Sequence, residues 1–313
     1  MYVITIGDNN CDTYASGYTY AGGNCTNVAA YAAMNGAHSA YIGVVGKDNY
    51  GDLFVRSLQK AGVITDYIRR ENGSTSRDVI ISDNGDRVFT QYDRSIIDAY
   101  PICLSQDEYD EIAKADLIVS SIYSAFKDQT FKNLCSLDVP VAYDFSVEWQ
   151  TGTSQVLDQD FDTVMANIRE NTMENICPMI DYGFFSCGNV TWEETYKVLK
   201  KAVSLGCSIA VGTRGIEGSC AYDGKQFYRQ SAYPARVIDT LGAGDSFITR
   251  FLLSHRSKMA YLKNVLRAVD HSIRESDLND YKEKAIISSL SDAALFASRS
   301  CSLEGAFGFG EIL

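Results

Sequence analysis

The sequence predicts an α/β protein: a mainly parallel sheet flanked by helices on both faces, with a small β lid. Three observations carry this. Short β-rich runs alternate with stretches of helical period over most of the 313 residues, the pattern of βαβ units. The segment "RDVIISDNGDRVFTQY" alternates on either side of Asn84-Gly85-Asp86 and reads as a β-hairpin that interrupts the series. No repeat, low-complexity segment or Pro/Ser-rich linker divides the chain, and of the one large or two small domains that its length suits, a single domain, 1–313, is expected.

The elements follow in order. "YVITI" (2–6) reads as the first strand, and "GGNCTNVAAYAAMNG" (22–36) as a helix, with a glycine start and then small and apolar residues at helical spacing. "HSAYIGVVG" (38–46) is a strand; "NYGDLFVRSLQKAG" (49–62) is an amphipathic helix with a glycine stop. The hairpin at 78–92, within a lid of roughly 74–95, comes next. The series then resumes with strands in "ADLIVSS" (115–121), "VPVAYDF" (139–145), "DYGFFS" (181–186) and "CSIAVGTRG" (207–215). "ARVID" (235–239) reads as strand-like. The charged stretch 255–285 reads as one or two surface helices inserted before a final apolar helix at 286–298.

Bulk properties exclude several function classes. With 28 Lys+Arg against 40 Asp+Glu, the net charge of -12 repels a phosphate backbone or an anionic membrane surface, so neither nucleic acid nor membrane is expected as a partner. Nine cysteines without a Cys-x-x-Cys pair fit reduced thiols, not a disulfide framework or a thiolate metal site. There is no basic leader and no 18-residue apolar stretch, and a soluble cytoplasmic protein is expected. His38, His255 and His271 are the only histidines, and none lies near a nucleophile motif. The Gly-x-x-x-x-Gly-Lys-[Ser/Thr] phosphate loop is absent, and "GAGDSF" lacks the third glycine of a dinucleotide fingerprint.

The stretch "VIDTLGAGDSF" (237–247) carries the chemistry. A Gly-Ala-Gly turn ahead of a helix exposes N–H groups that no side chain shields, and the helix dipole adds to their attraction for an anion. Asp245 at the mouth of the same helix is placed to take a proton from a hydroxyl attacking that anion, the pairing phosphoryl transfer needs. The alternative is an ordinary turn with Asp245 as a cap. Three more stretches weigh on the choice: "TRGIEGS" (213–219) can bring backbone close to a nucleotide, Asp12 in "GDNNCD" lies past the first strand, and "GGNCTNVA" supplies Asn24 and Asn27 for sugar hydroxyls.

Together "GGNCTNVA" and "DTLGAGDSF" resemble the two signatures of the ribokinase-type, or PfkB, carbohydrate kinases, over nearly the whole chain apart from the charged insertion. "IGDNNCDTY", "YIGVVGKDNYG" and "RVFTQY" look most like the fructosamine-kinase branch of that family. The resemblance implies Asp245 as catalytic base and the Gly242, Ala243 and Gly244 amides as an anion hole. It implies Thr213, Gly215 and Gly218 along the ATP loop, and Asp12, Gly23, Asn24 and Asn27 on the sugar. Asp239 would support the turn or the metal's water shell, with Mg²⁺ riding on the ATP phosphates. The acceptor it implies is a primary hydroxyl, first choice that of fructoselysine or a related fructosamine. Ribokinase, fructokinase and nucleoside kinase activity are the alternatives, and a non-catalytic sugar-binding sensor is one of another class. A short exposed hairpin could pair across a homodimer. The family's Asn-x-x-Glu motif is ambiguous between Asn167/Glu170 and the 186–194 region, which leaves metal ligands open. Only nine residues separate Asp12 from Gly22, so a lid built mainly from the 78–92 hairpin is expected. Asp93, Asp144 and Glu148 are candidates for reading the ammonium-bearing end of a fructosamine.

Overall fold

The computed structural model describes residues 1–83, 86–147, 149, 172–268 and 274–313. Asn84 and Gly85 of the expected hairpin, Glu148, Asn167, Glu170 and His271 lie outside these. Its first strand, β1 (Tyr2–Ile6), shows how the sheet is built. Ile4 and Ile6 join one buried cluster and Val3 another, so the two-residue period of the strand divides its side chains between two cores. Next in the chain come β2 (Asn10–Tyr14), β3 (Tyr18–Gly22), α1 (Asn24–Met34), β4 (His38–Gly46), α2 (Asn49–Ala61) and β5 (Ile68–Glu71). They are followed by β6 (Arg77–Asp83), β7 (Asp86–Asp93), α3 (Ser95–Ala99), α4 (Gln106–Ile112), β8 (Leu117–Ser121), α5 (Thr130–Cys135) and β9 (Val141–Asp144). The rest is α6 (Met173–Ile176), β10 (Tyr182–Ser186), α7 (Trp192–Ser204), β11 (Ile209–Thr213), β12 (Ser219–Tyr222), β13 (Phe227–Gln230), α8 (Ala243–Ala268), α9 (Glu275–Ser300) and β14 (Glu311–Ile312).

Among the described residues, nine strands form the large sheet in the order β13-β12-β11-β10-β9-β8-β1-β4-β5. Pairing is parallel from β5 to β11 and antiparallel only at the β12–β13 edge. One face is covered by α5 and α7, through Phe131, Leu134, Val198 and Leu199; the other by α1, α8 and α9, through Val28, Phe251, Ile286 and Leu290. Helix α2 ends at Gly62, as its glycine stop predicts.

Three expectations change. The lid is a five-stranded sheet, β14-β3-β2-β6-β7, not mainly one hairpin: nine residues suffice for the β2–β3 pair, which closes through Gly17. "ARVID" is not a strand. Val237 and Ile238 are 60% and 57% exposed in an irregular segment that hangs on Cys301 O through the Ile238 and Asp239 amides. The charged stretch is helical and largely exposed as expected, but it is not a separate insertion: 255–268 continues α8 and 275–285 opens α9.

Candidate active site

The site assembles where β9, β10 and β11 end and α8 begins. A cavity of about 220 Å³ is lined there by Asn24, Asp144, Ser186, Thr213, Gly242, Gly244 and Asp245, among others. It lies at the carboxyl ends of parallel strands, the ordinary ligand position of an open α/β sheet. A larger hollow of about 400 Å³ lies elsewhere, between Met1, Gly36 and α8; its one carboxylate, Asp292, is occupied by Ser254 and Lys258.

The α8 turn is held from behind. Asp239 accepts the Leu241 amide (3.0 Å) on one oxygen, and the Gly305 amide (2.9 Å) and the Tyr14 hydroxyl (2.6 Å) on the other. These bonds use Asp239 as a strut for the turn and tie the turn to lid strand β2. Gly242 has φ +69, and a Cβ there would lie 2.6 Å from Ala306 Cβ, so both conformation and space demand glycine. At Gly244 a Cβ would meet nothing within 4 Å: that position faces the open cavity. Ala243 does not line the cavity, and its amide points to Thr240 O at 3.2 Å within the turn.

Asp245 is buried in the first turn of α8, and its carboxylate accepts from Asn27 Nδ2 at 2.7 Å. Burial pushes its pKa well above the usual carboxylate range, the Asp144 carboxylate pushes it further, and the Asn27 amide partly offsets them. Asp144, at the end of β9, accepts from Asn24 Nδ2 (2.6 Å) and the Ser146 amide (2.8 Å). Burial raises it to about 6. It therefore sits beside Asp245 within the cavity, so its carboxylate belongs to the reacting end. Asn24 and Asn27, expected on the sugar, each donate to one of the two carboxylates, and Asn24 lines the cavity with them.

Asp12 does not lie just past β1. It stands on the lid, where Asn10 Nδ2 bridges its Oδ1 (2.9 Å) to Asp78 Oδ2 (2.7 Å). Just past β1 lies Asp8, which the sequence reading missed: it accepts from the backbone amides of Asn24 (2.6 Å) and Cys25 (3.3 Å) and from Ser121 Oγ (2.6 Å), and so anchors the first turn of α1. Its signal was a lone aspartate between a strand and a glycine-led helix. Gly23, at φ +101, lets the chain turn into α1 against the Asn9 backbone. Thr213 reaches the cavity. Gly215 and Gly218 lie beyond it, in a short 3-10 turn and its exit, with Ile216 almost fully exposed between them. That loop hangs on Arg214, also missed, which is buried and donates to Cys187 O, Val190 O and Thr195 Oγ1. In the 186–194 region the Glu194 carboxylate is engaged in capping Thr191.

A buried carboxylate beside a glycine turn at a helix N-terminus is suited to moving a phosphoryl group onto an alcohol, because one element supplies both a proton acceptor and N–H donors for the migrating charge. The family model described as pfkB family carbohydrate kinase matches residues 10–268, and the chain belongs to that family. It is a phosphotransferase acting on a sugar hydroxyl. It is 30% identical over 313 residues to the fructosamine kinase FrlD of Bacillus subtilis (strain 168), covering 99% of this chain and 94% of that protein. To the fructoselysine 6-kinase of Escherichia coli (strain K12) it is 33% identical over 252 residues, 80% of this chain and 87% of that one. The fold matches Arabidopsis thaliana ribokinase complexed with ribose and ATP (TM-score 0.69, 21% identity, 97% and 94% of the two chains). It also matches a fructokinase from Xylella fastidiosa with bound ATP (TM-score 0.71, 17% identity, 98% and 94%). No helix among the described residues is long and apolar enough to cross a membrane.

Proposed function

We propose that the protein is an ATP-dependent kinase that phosphorylates the primary hydroxyl of a fructosamine, fructoselysine being the first choice. The observation that carries the kinase chemistry is the Asp245 carboxylate, buried beside the Gly242 to Gly244 turn and opening on the cavity. Relatives 30% and 33% identical, a fructosamine kinase and a fructoselysine 6-kinase, support the choice of acceptor.

On this reading Asp245 takes the proton of the attacking hydroxyl as its oxygen bonds to the γ-phosphorus of ATP. The bond from that phosphorus to the bridging oxygen breaks, and ADP leaves. The raised pKa of Asp245 makes it a stronger proton acceptor than an ordinary carboxylate, which suits a general base for a hydroxyl. Gly242 and Gly244 amides and the α8 dipole meet the charge on the migrating group, while Thr213, Gly215 and Gly218 border the nucleotide. Asp239 acts through the turn: its oxygens are taken up by Leu241, Gly305 and Tyr14, which fits a strut better than a metal ligand. A hard cation such as Mg²⁺ would ride on the nucleotide with its water shell and neutralise phosphate charge. The oxygen-rich lining of the cavity, with Asp144, Ser186 and Thr213, suits that shell. A cytoplasmic setting accords with nine free thiols, most of them buried. ADP release over a panel of fructoselysine, glucoselysine, psicoselysine, fructose, ribose and adenosine tests the reading. Preference for a plain sugar or nucleoside would overturn the fructosamine assignment, and no turnover on any of them would favour a binding role.

A further inference from the structure

The lid presents two chemically different faces. Strands β2 and β6 pair in parallel register with Cys11 opposite Arg77 and Asp12 opposite Asp78, so each pair shares a face. The Cys11 face packs on α2, with Sγ near Tyr50 O (3.6 Å) and Arg77 over the Tyr50 ring. Asp93, opposite Arg77 on β7, belongs to that face and not to the cleft. The other face carries Asn10, Asp12, Tyr14 and Asp78 toward the catalytic turn, as the Tyr14 bond to Asp239 fixes.

Asp78 is 94% buried on the figure of 6% exposure, yet only one of its oxygens has a partner. Oδ2 accepts from Asn10; Oδ1 has no hydrogen-bond partner, and among the described residues no cation pairs with it. A buried carboxylate beside a second carboxylate, with one neutral amide between them, is costly unless something positive joins it. In keeping with this, burial and the neighbouring Asp12 raise Asp78 to about 8. The Asp12 charge is felt at Asp245, and Tyr14 on the same lid face bonds Asp239 of the catalytic turn, so this face of the lid is turned toward the element that carries Asp245. A sugar whose primary hydroxyl lies at Asp245 therefore turns its opposite end, where a fructosamine carries its protonated secondary amine, toward the lid.

We propose that Asp78, with Asp12, receives the ammonium of an amine-bearing sugar, Asp78 Oδ1 accepting its N–H, and that this pair selects such substrates over neutral sugars. The inference rests on the fructosamine reading above and names the residue that enforces it. The test uses the full chain with ATP and three acceptors: fructoselysine, its derivative acetylated on the sugar-linked nitrogen, and fructose. Asp78→Asn keeps shape and Asn10's acceptor but removes the charge. It should lower kcat/KM for fructoselysine about 10- to 100-fold, the scale of a hydrogen bond to a charged group, mainly through KM. For the acetylated sugar and fructose the change should stay within about 3-fold. Asp78→Leu should give the same selectivity loss, and ADP-induced thermal shifts equal to wild type show that both variants are folded. Equal losses on all three acceptors, with wild type still preferring fructoselysine, overturn the role of Asp78 and leave the fructosamine reading standing. A wild type that uses the acetylated sugar as well as the amine overturns the role of Asp78 and leaves the fructosamine reading standing, whereas one that prefers fructose overturns both.

Discussion

The catalytic turn and the facing lid strands are both buried and both rich in carboxylates, yet they are wired in opposite ways. Asp239 accepts from Leu241, Gly305 and Tyr14, and Asp245 and Asp144 each have an asparagine donor, so the reacting end is assembled before any ligand arrives. On the lid, Asp12 and Asp78 share the two protons of one Asn10 amide and one Asp78 oxygen stays unmet. Chemistry demands fixed geometry before the transition state, whereas selectivity is gained where a ligand supplies the missing partner.

The largest effect expected is at the preassembled end. Asp245→Asn should bind ATP and sugar as wild type does and lose about 10²–10⁴ in kcat, the usual contribution of a positioned base. Steady-state kinetics with ligand-binding titrations checks this; near-normal turnover would move the base elsewhere. Next comes Gly244→Val, which fills the open side of the turn and should cost about 10²-fold or more in kcat without lowering the unfolding temperature. Gly242→Ala should do the reverse in kind: strain against Ala306 and φ +69 lowers thermal stability along with activity. If both variants merely destabilise, the turn is structural and the contrast with the lid collapses.

Much of the preassembled end was legible because its signals are local. "GAGD" must turn and then start a helix, "YVITI" and "HSAYIGVVG" alternate or run apolar as buried strands do, and the glycine stop of α2 falls where the apolar stripe ends. The lid was not legible, since its order depends on pairing between distant segments. Nothing near Asp78 announces that β6 will lie beside β2, and "CDTYASGYTY" mixes aromatics with polar residues on both faces. "ARVID" misled for the converse reason: its apolar residues face outward, so pattern without burial imitated a strand.

Tyr14 is where the two regions touch, and its loss should have a middling effect. Tyr14→Phe removes the 2.6 Å bond to Asp239 while the Leu241 and Gly305 amides keep that carboxylate in place. The turn should therefore persist and lid closure weaken, which raises KM for the sugar about 3- to 10-fold with kcat within about 2-fold. A fall in kcat with KM unchanged would mean instead that Tyr14 positions the turn.

The smallest effect is one of stability, and it probes the unmet end directly. A carboxyl whose folded-state pKa is about 8, above its ordinary 3.8, binds more protons folded than unfolded between those values. Stability then falls as pH rises from about 4 through about 8 and levels off beyond, because the folded lid resists the charge that the unfolded chain carries freely. Asp78→Asn removes that slope, and an amide in its place can accept from Asn10 and donate to Asp12. The variant should match wild type near pH 4 and exceed it by about 1–3 kcal/mol at pH 8.5, the scale of a buried polar group left unsatisfied. Urea unfolding at pH 4, 6.5 and 8.5 measures the gap. Saturating fructoselysine should narrow it at pH 8.5 by stabilising wild type more than the variant, since the ammonium joins only the charged pair. A gap that stays constant with pH would show that the folded lid carries the Asp78 charge without penalty, and the difference in wiring between the two regions would disappear.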